Sequence, residues 1–389
     1  MHWRARFKRW LDQWLDRIPV ASPDGEPVRD EPERMPAVRA KPRSSAVWSP
    51  APTTRPHPER GPALRPLRLA LQGGGAHGAF TWGVLDRLLE EDDLAFRSIS
   101  GASAGALNGA MLVCGFAAGG RVGAQDKLAQ FWNGVAGMGA LIAPVQSQQK
   151  LAADFGMVHA EMMHAMMRMW SPAQLNPFNL NPLRTLLEGL IDVEALRASK
   201  AMRLHVSATN VETGQPRIFS GGDLSIDALL ASACLPFLNH AVTIDEVAYW
   251  DGGYSANPPI APLVEDDASD KDAREILLVQ INPERRSGTP ATASEIMHRV
   301  NEITFNASLL AELRAIEGMK EDANNGGRAA CKPLRLHRIA LHDEVVDAKA
   351  ASAASVNGAF HRELRDHGRN AAERWLASSR QEANAVRSS

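Results

Sequence analysis

Cysteine is scarce in this sequence, with three residues among 389, far apart and in no CxxC pair. This spacing argues against a disulfide framework or a structural zinc site, and it fits a reducing compartment. An excess of one charge is also missing, because 43 basic residues face 45 acidic ones, so we expect no nucleic-acid partner. No apolar run approaches the length of about 18 residues that a membrane-spanning helix needs, and the N-terminus lacks a secretory signal.

The composition divides the chain into three parts. Residues 19–66 hold 12 of the 24 prolines and almost no apolar periodicity. We expect a disordered linker there, because such a segment buries too little surface to offset its ordering entropy. Residues 67–389 read as one globular domain, and the chain as a whole is 44% hydrophobic, which is enough to fill a sizeable core.

The first part, residues 1–18, has the pattern of a short basic amphipathic helix. Its large apolar residues recur at steps of three and four and share one helical face: Trp3, Phe7, Trp10, Leu11, Trp14, Leu15 and Ile18. One interpretation is peripheral contact of Met1–Ile18 with an anionic lipid surface. The other is docking on the globular part of the chain or on another subunit. We expect a cytoplasmic protein that, on the first interpretation, touches a membrane or lipid particle.

The globular part opens with a βαβα pattern that carries two glycine-rich loops. The first strand runs into Gly73-Gly74-Gly75-Ala76-His77-Gly78, and the second runs into Gly101-Ala102-Ser103-Ala104-Gly105. Such units form parallel strands with right-handed crossovers. We therefore expect both loops at the carboxyl edge of one sheet, where α/β proteins place their sites.

The first loop spells GxGxxG through Gly73, Gly75 and Gly78, which is the fingerprint of a dinucleotide site. That interpretation requires an acid about 20 residues further on, at the tip of the next strand. The sequence has Ser98 near that position, and the acids from Glu90 to Asp93 come too early. Nucleotide binding is disfavoured, and we predict no cofactor.

The second loop is a GxSxG motif, which places a serine on a tight strand-to-helix turn with its hydroxyl exposed. Its position between a strand and a helix makes Ser103 a candidate nucleophile, framed by Gly101 and Gly105. The neighbouring loop can then donate backbone N–H groups to a developing oxyanion. The candidate residues for this oxyanion hole are Gly73, Gly74, Gly75, Ala76 and Gly78.

A serine nucleophile needs a base. A third strand-like run, residues 247–250, ends in Asp251-Gly252-Gly253. An acid at a strand end, followed by two glycines that let the backbone approach closely, is a suitable partner. Asp-Gly alone is more often an ordinary turn.

Together, the glycine loop, the serine elbow and Asp-Gly-Gly resemble the patatin-like phospholipase family in their order and composition. The resemblance covers about residues 67–282 and includes Ala208-Thr209-Asn210, Ala231–Pro236 and Asn257-Pro258. It implies a three-layer α/β/α sandwich with a mostly parallel central sheet. It also implies a lipid acyl hydrolase of the phospholipase A or lipid esterase type, which forms an acyl-enzyme with a Ser103–Asp251 dyad. Backbone amides around Gly74, Gly75 and Ala76 would form the oxyanion hole.

Two alternatives remain. One is a Ser-Asp-His triad esterase acting on small soluble esters, since several histidines follow the acid: His298, His337, His342, His361 and His367. The other is a non-catalytic lipid-surface scaffold that kept the fold. Residues 157–169 are rich in methionine and read either as a packed helix or as an acyl-chain wall. The spacing of His159 and His164 there is not that of a zinc helix, so we predict no metal site.

Overall fold

The computed structural model describes residues 64–142, 170–265, 275–324, 334–341 and 358–388. The N-terminal segment of residues 1–18, nearly all of the proposed linker and the methionine-rich segment lie outside the described residues. The first strand begins at Arg65, two residues before the start of the globular part proposed from the sequence.

Eight strands of the described residues form one mixed sheet in the order β5-β6-β3-β2-β1-β7-β8, with β4 also paired to β3. The strands are β1 (Arg65–Leu71), β2 (Leu94–Ala102), β3 (Arg203–Asn210), β4 (Pro216–Ser220), β5 (Val242–Ile244), β6 (Val247–Asp251), β7 (Glu275–Gln280) and β8 (Arg335–Ala340). Five neighbouring strands of this sheet, β3-β2-β1-β7-β8, are parallel to one another. The remaining three strands are antiparallel and extend the sheet at β3.

The helices connect the strands and cover both faces of the sheet. They are α1 (Gly78–Leu88), α2 (Ala104–Ile142), α3 (Pro172–Leu175), α4 (Pro182–Leu190), α5 (Val193–Ala198), α6 (Ile226–Ser232), α7 (Ala261–Glu265), α8 (Ala293–Asn324) and α9 (Gly358–Ser388). Helix α2 is broken at Gly119 and Gly120, where the backbone leaves helical values. None of these helices has the length and apolar character needed to cross a bilayer.

The side chains of β1 show why the sheet is buried on both faces. Leu67, Leu69 and Leu71 are fully buried in the cluster that contains α1, α2 and α9. Ala70 points to the other face, where Leu309 of α8 lies in the second cluster. Each fully buried leucine contributes roughly 1.5–3 kcal/mol, and this alternation follows from the two-residue period of a strand. The result is the expected three-layer α/β/α sandwich with a mostly parallel sheet.

The register of three neighbouring strands brings the serine and Asp-Gly-Gly motifs to one edge of this sheet. Ala102, the last residue of β2, pairs with Ser207 of β3. The next residue of β3, Ala208, pairs with Asp251 at the end of β6. Ser103 and Asp251 therefore leave the sheet on either side of the same two residues of β3.

Candidate active site

Ser103 stands at the sharp turn between β2 and α2. It has a positive φ of 51°, which non-glycine residues seldom adopt and which is typical of a serine elbow. Its N–H donates to Oγ of Ser232, 2.9 Å away, and its carbonyl accepts from the N–H of Leu107 at 3.0 Å. The backbone of the serine is thus held from both sides while 7% of the residue stays exposed.

The glycine loop presses directly against this elbow. A Cβ atom at Gly73 would lie 2.5 Å from the carbonyl oxygen of Ala102 and 2.8 Å from Cβ of Ser103. A Cβ atom at Gly105 would lie 2.0 Å from the carbonyl oxygen of Leu71. Glycine is required at both positions because the two loops leave no room for a side chain. Gly101, at the end of β2, lies on the opposite side of the elbow, packed against the first turn of α2.

Asp251 ends β6 and is completely buried. Its Oδ1 accepts the N–H of Gly253 at 2.7 Å, and Gly252 and Gly253 open a short 3₁₀ turn directly after it. Its backbone N–H donates to the carbonyl of Cys234 at 2.8 Å, and its carbonyl accepts from Oγ1 of Thr209 at 2.7 Å. The carboxyl group is therefore fixed by its own main chain as well as by its side chain.

Burial dominates the electrostatics of Asp251. It raises the pKa of the carboxyl from 3.8 to about 7, against the opposing effects of the Gly253 N–H and of a hydrogen-bonding interaction with the Ser103 side chain. Apart from Ser103, no described residue donates a hydrogen bond to Oδ2 of Asp251. The carboxyl thus combines a proton affinity suited to neutral pH with the proximity of the serine hydroxyl, which is the combination that a general base needs.

The N–H groups of the glycine loop fall into two sets. That of Gly73 donates to Oδ1 of Asn257 at 2.7 Å, and that of Gly78 donates back to the carbonyls of Gly75 and Ala76. These two residues frame the loop, and their N–H groups already have acceptors within the described residues. The N–H groups of Gly74, Gly75 and Ala76 have no acceptor among the described residues. Gly75 has a φ of 58°, so its backbone also favours glycine.

A model of the family described as patatin-like phospholipase matches residues 69–264, half of the chain. The chain belongs to the patatin-like phospholipase family. Membership of this family supports lipid acyl hydrolysis as the activity, with a lipid as substrate. Ser103, Asp251 and the glycine loop all lie within the matched residues.

Two solved structures also match this patatin-like chain. The crystal structure of VipD from Legionella pneumophila has 14% sequence identity and a TM-score of 0.37, over 82% of this chain and 67% of that one. The heterodimeric ExoU–SpcU complex from the type III secretion system of Pseudomonas aeruginosa has 16% identity and a TM-score of 0.35, over 82% and 52%. The chain thus spans about half the length of the second protein. No curated protein sequence matches it.

The histidines after Asp251 have other surroundings in the patatin-like domain. His337 lies 3.4 Å from the carboxylate of Glu275, and His361 is buried with its ring centroid 5.2 Å from that of Trp132. His298 and His367 lie on α8 and α9, and His342 is outside the described residues. Among the described residues, no histidine contributes to the pKa of Asp251, and no group of three or more His, Cys, Asp or Glu side chains could hold a metal ion.

Four polar residues at the site were missed by the sequence reasoning. Ser232 holds the elbow, Asn257 and Asn282 hold the glycine loop, and Gln72 holds the N–H of Asn282. Ser232 and Asn257 were noted only as part of the family resemblance.

Proposed function

We propose that the protein is a lipid acyl hydrolase of the phospholipase A or lipid esterase type that works through a Ser103–Asp251 dyad. The observation that carries this proposal is the fully buried Asp251 carboxyl, whose pKa of about 7 is set by burial and which interacts with the Ser103 side chain. A carboxylate of ordinary pKa is a weak base towards an alcohol. Burial brings the proton affinity of this one close to the working pH.

The proposed reaction has two halves. Oγ of Ser103 attacks the ester carbonyl carbon, its proton passes to Asp251, and the carbonyl π electrons move onto oxygen. When the tetrahedral intermediate collapses, the C–O bond to the leaving alcohol breaks and Asp251 returns the proton to that alcohol. Water then attacks the acyl-enzyme in the same way, which releases the fatty acid and restores Ser103.

The negative oxygen of both tetrahedral intermediates needs donors. The N–H groups of Gly74, Gly75 and Ala76 are suited to this role, because Gly73 packs against Ser103 and these three N–H groups have no acceptor in the described part of the chain. One such donor stabilises the transition state by about 3 kcal/mol. Three candidate N–H donors are therefore available to the oxyanion.

We also propose peripheral contact of Met1–Ile18 with an anionic lipid surface. The predicted apolar face of this segment and its basic neighbours support the proposal.

The loop after Cys234 supports a lipid partner as well, since it exposes Phe237 and Leu238, with 65% and 53% of their surface accessible. The carbonyl of Cys234 itself accepts a hydrogen bond from Asp251, so these apolar side chains follow closely after a residue of the site.

The test is product profiling of the purified full chain with phosphatidylglycerol vesicles, a triacylglycerol emulsion and p-nitrophenyl butyrate, alongside Ser103→Ala. Ser98→Ala is the matched control, because Ser98 is a buried serine of β2, the strand that leads into Ser103, and lies outside the proposed site. We expect fatty acid release by the wild type and by Ser98→Ala, and none by Ser103→Ala.

A fluorophosphonate probe should label the wild type at Ser103 only. Full hydrolysis by Ser103→Ala, or labelling of another residue, would overturn the proposed mechanism. Hydrolysis of the soluble ester alone would favour an esterase of small substrates.

A further inference from the structure

The amide side chain of Asn257 pairs with both polar groups of Gly73. Its Oδ1 accepts the Gly73 N–H at 2.7 Å, and its Nδ2 donates to the Gly73 carbonyl at 3.2 Å. Asn257 is fully buried and lies six residues after Asp251. This pairing therefore joins the segment Asp251–Asn257, here called the base loop, to the oxyanion loop, Gly73–Gly78.

A second amide reaches the same carbonyl from the segment just after β7. Nδ2 of Asn282 donates to the Gly73 oxygen at 2.6 Å, and the N–H of Asn282 is held in turn by Oε1 of Gln72 at 2.8 Å. The carbonyl oxygen of Gly73 has two acceptor positions, and the two asparagines occupy both.

The peptide bond between Gly73 and Gly74 links the orientation of the Gly73 carbonyl to that of the Gly74 N–H. In a planar trans peptide, the C=O of one residue and the N–H of the next point in opposite directions. Two donors that fix the Gly73 carbonyl therefore also fix the Gly74 N–H, which points away from both asparagines. Gly73 packs against Cβ of Ser103 at the same time, so the peptide that carries this N–H begins at a residue in contact with the nucleophile.

We propose that Asn257 and Asn282 are positioning residues that orient and polarise the Gly74 N–H as an oxyanion donor. The inference rests on the proposed function, and it assigns a catalytic purpose to two amides that do not touch the substrate. Hydrogen bonds to a carbonyl strengthen the donor at the other end of the same peptide, because chains of hydrogen bonds polarise one another. Asn282 lies beyond the residues that the family model matches.

Helix α8 holds the base-loop end of this arrangement. Nδ2 of Asn257 also donates to the carbonyl of Phe305 at 3.1 Å, and its backbone N–H donates to Oγ of Ser308 at 3.2 Å. A Cβ atom at Gly253 would lie 2.2 Å from the Phe305 ring, so the same residue of α8 packs against the base loop beside Asp251. The nucleophile, the base and the oxyanion loop are thus kept in one mutual geometry.

The test compares Asn282→Ala and Asn257→Ala with Glu312→Ala. Glu312 is the matched control. It projects from α8, the helix that contacts Asn257, and accepts the N–H groups of Ile260 and Ala261 at 2.8 and 2.9 Å. It does not contact the oxyanion loop. Asn282 is only partly buried, so its variant is the one expected to keep its fold if Asn257→Ala does not. All rates are divided by the active-site concentration from fluorophosphonate labelling.

We expect kcat for p-nitrophenyl butyrate to fall about 10- to 100-fold in both asparagine variants, with KM changed less than about threefold. Complete loss of one oxyanion donor costs about 10²–10³, and here the donor is misdirected rather than removed. The inhibition constant of a trifluoromethyl ketone, which forms a tetrahedral oxyanion on the serine, should rise by the same factor as kcat falls. Glu312→Ala should lose stability and keep kcat.

The inference is overturned if kcat per labelled site is unchanged in Asn282→Ala, or if Glu312→Ala shows an equal loss of kcat. It is also overturned if the ketone binds all variants equally well, since the asparagines would then serve stability alone. A failure of the proposed function gives a different result, because the activity of the wild type would then survive in Ser103→Ala.

Discussion

The carboxyl group of Asp251 holds the N–H of Gly253 through Oδ1, 2.7 Å away, in a fully buried position. Burial raises the pKa of this carboxyl to about 7, and only the ionised form can accept the proton of Ser103. We therefore expect kcat/KM to rise with pH through a single midpoint near 7, as measured with p-nitrophenyl butyrate between pH 5 and 9.

Asp251→Asn provides the control for that profile. It keeps the shape of the side chain and removes the proton acceptor, so activity should fall by about 10²–10⁴. Single replacements of His337, His342, His361 or His367 should leave most of the activity and the same midpoint. An equal loss in one histidine variant would favour the triad alternative, whereas a midpoint near 4 would contradict the raised pKa of Asp251.

The same carboxyl makes stability depend on pH. In the folded state the pKa is raised from 3.8 to about 7, so the folded chain binds this proton more tightly than the unfolded chain. The stabilising contribution is complete below about pH 4 and is lost as the pH rises to about 7. A shift of about three units corresponds to about 4 kcal/mol.

Urea titrations at several pH values measure this effect as the difference between the wild type and Asp251→Asn. We expect the variant to be the more stable protein above pH 7 and to lose this part of the pH dependence. A difference that does not change between pH 4 and 7 would contradict the raised pKa.

Gly75 allows a matched test of the oxyanion loop. Gly75 and Gly214 both have a positive φ, of 58° and 70°, and neither has an atom within 4 Å of where a Cβ would stand. Alanine at either position should cost about 1–2 kcal/mol of unfolding free energy. Only Gly75→Ala should also lower kcat, by up to about 100-fold, because alanine disfavours the positive φ and a shift of the backbone would misdirect the N–H that is the candidate donor. Equal kcat values in the two variants would exclude Gly75 from the oxyanion hole.

The proposed lipid contact of Met1–Ile18 is tested by deleting these residues. Binding to vesicles of phosphatidylglycerol should weaken, and the salt dependence of binding should decrease, since basic residues attract anionic lipid through a screened potential. Hydrolysis of p-nitrophenyl butyrate should stay nearly unchanged. Replacing Trp3, Trp10 and Trp14 by alanine should also weaken vesicle binding but keep its salt dependence, because these residues belong to the predicted apolar face and the basic residues remain. An equal loss of soluble-ester activity would indicate docking on the enzyme itself.

The family resemblance of the sequence predicts the sandwich. Ser103 and Asp251 are identified as candidates because each stands in a short motif between a strand and a turn. Periodicity and glycine spacing are local signals, and they identify such positions well.

Local signals do not predict which amides meet across the fold. The N–H of Gly73 donates to the side chain of Asn257, which lies 184 positions away. Ser232 lies 129 positions from Ser103. Contacts at such separations depend on the order of the strands in the sheet, and a single sequence carries no pattern that indicates them.

The place of β7 has a consequence for how the chain is made. Strand β1 lies between β2 and β7, and Gln72 at its end bonds the N–H of Ile281, 209 positions later. During synthesis, the glycine loop and the serine elbow leave the ribosome long before β7 can close the other side of β1. Pairing over such a distance is slow, because a long loop must close before any contact stabilises it. We expect nascent chains that end before Val279 to lack activity, and activity to arise only once β7 and Asn282 have emerged.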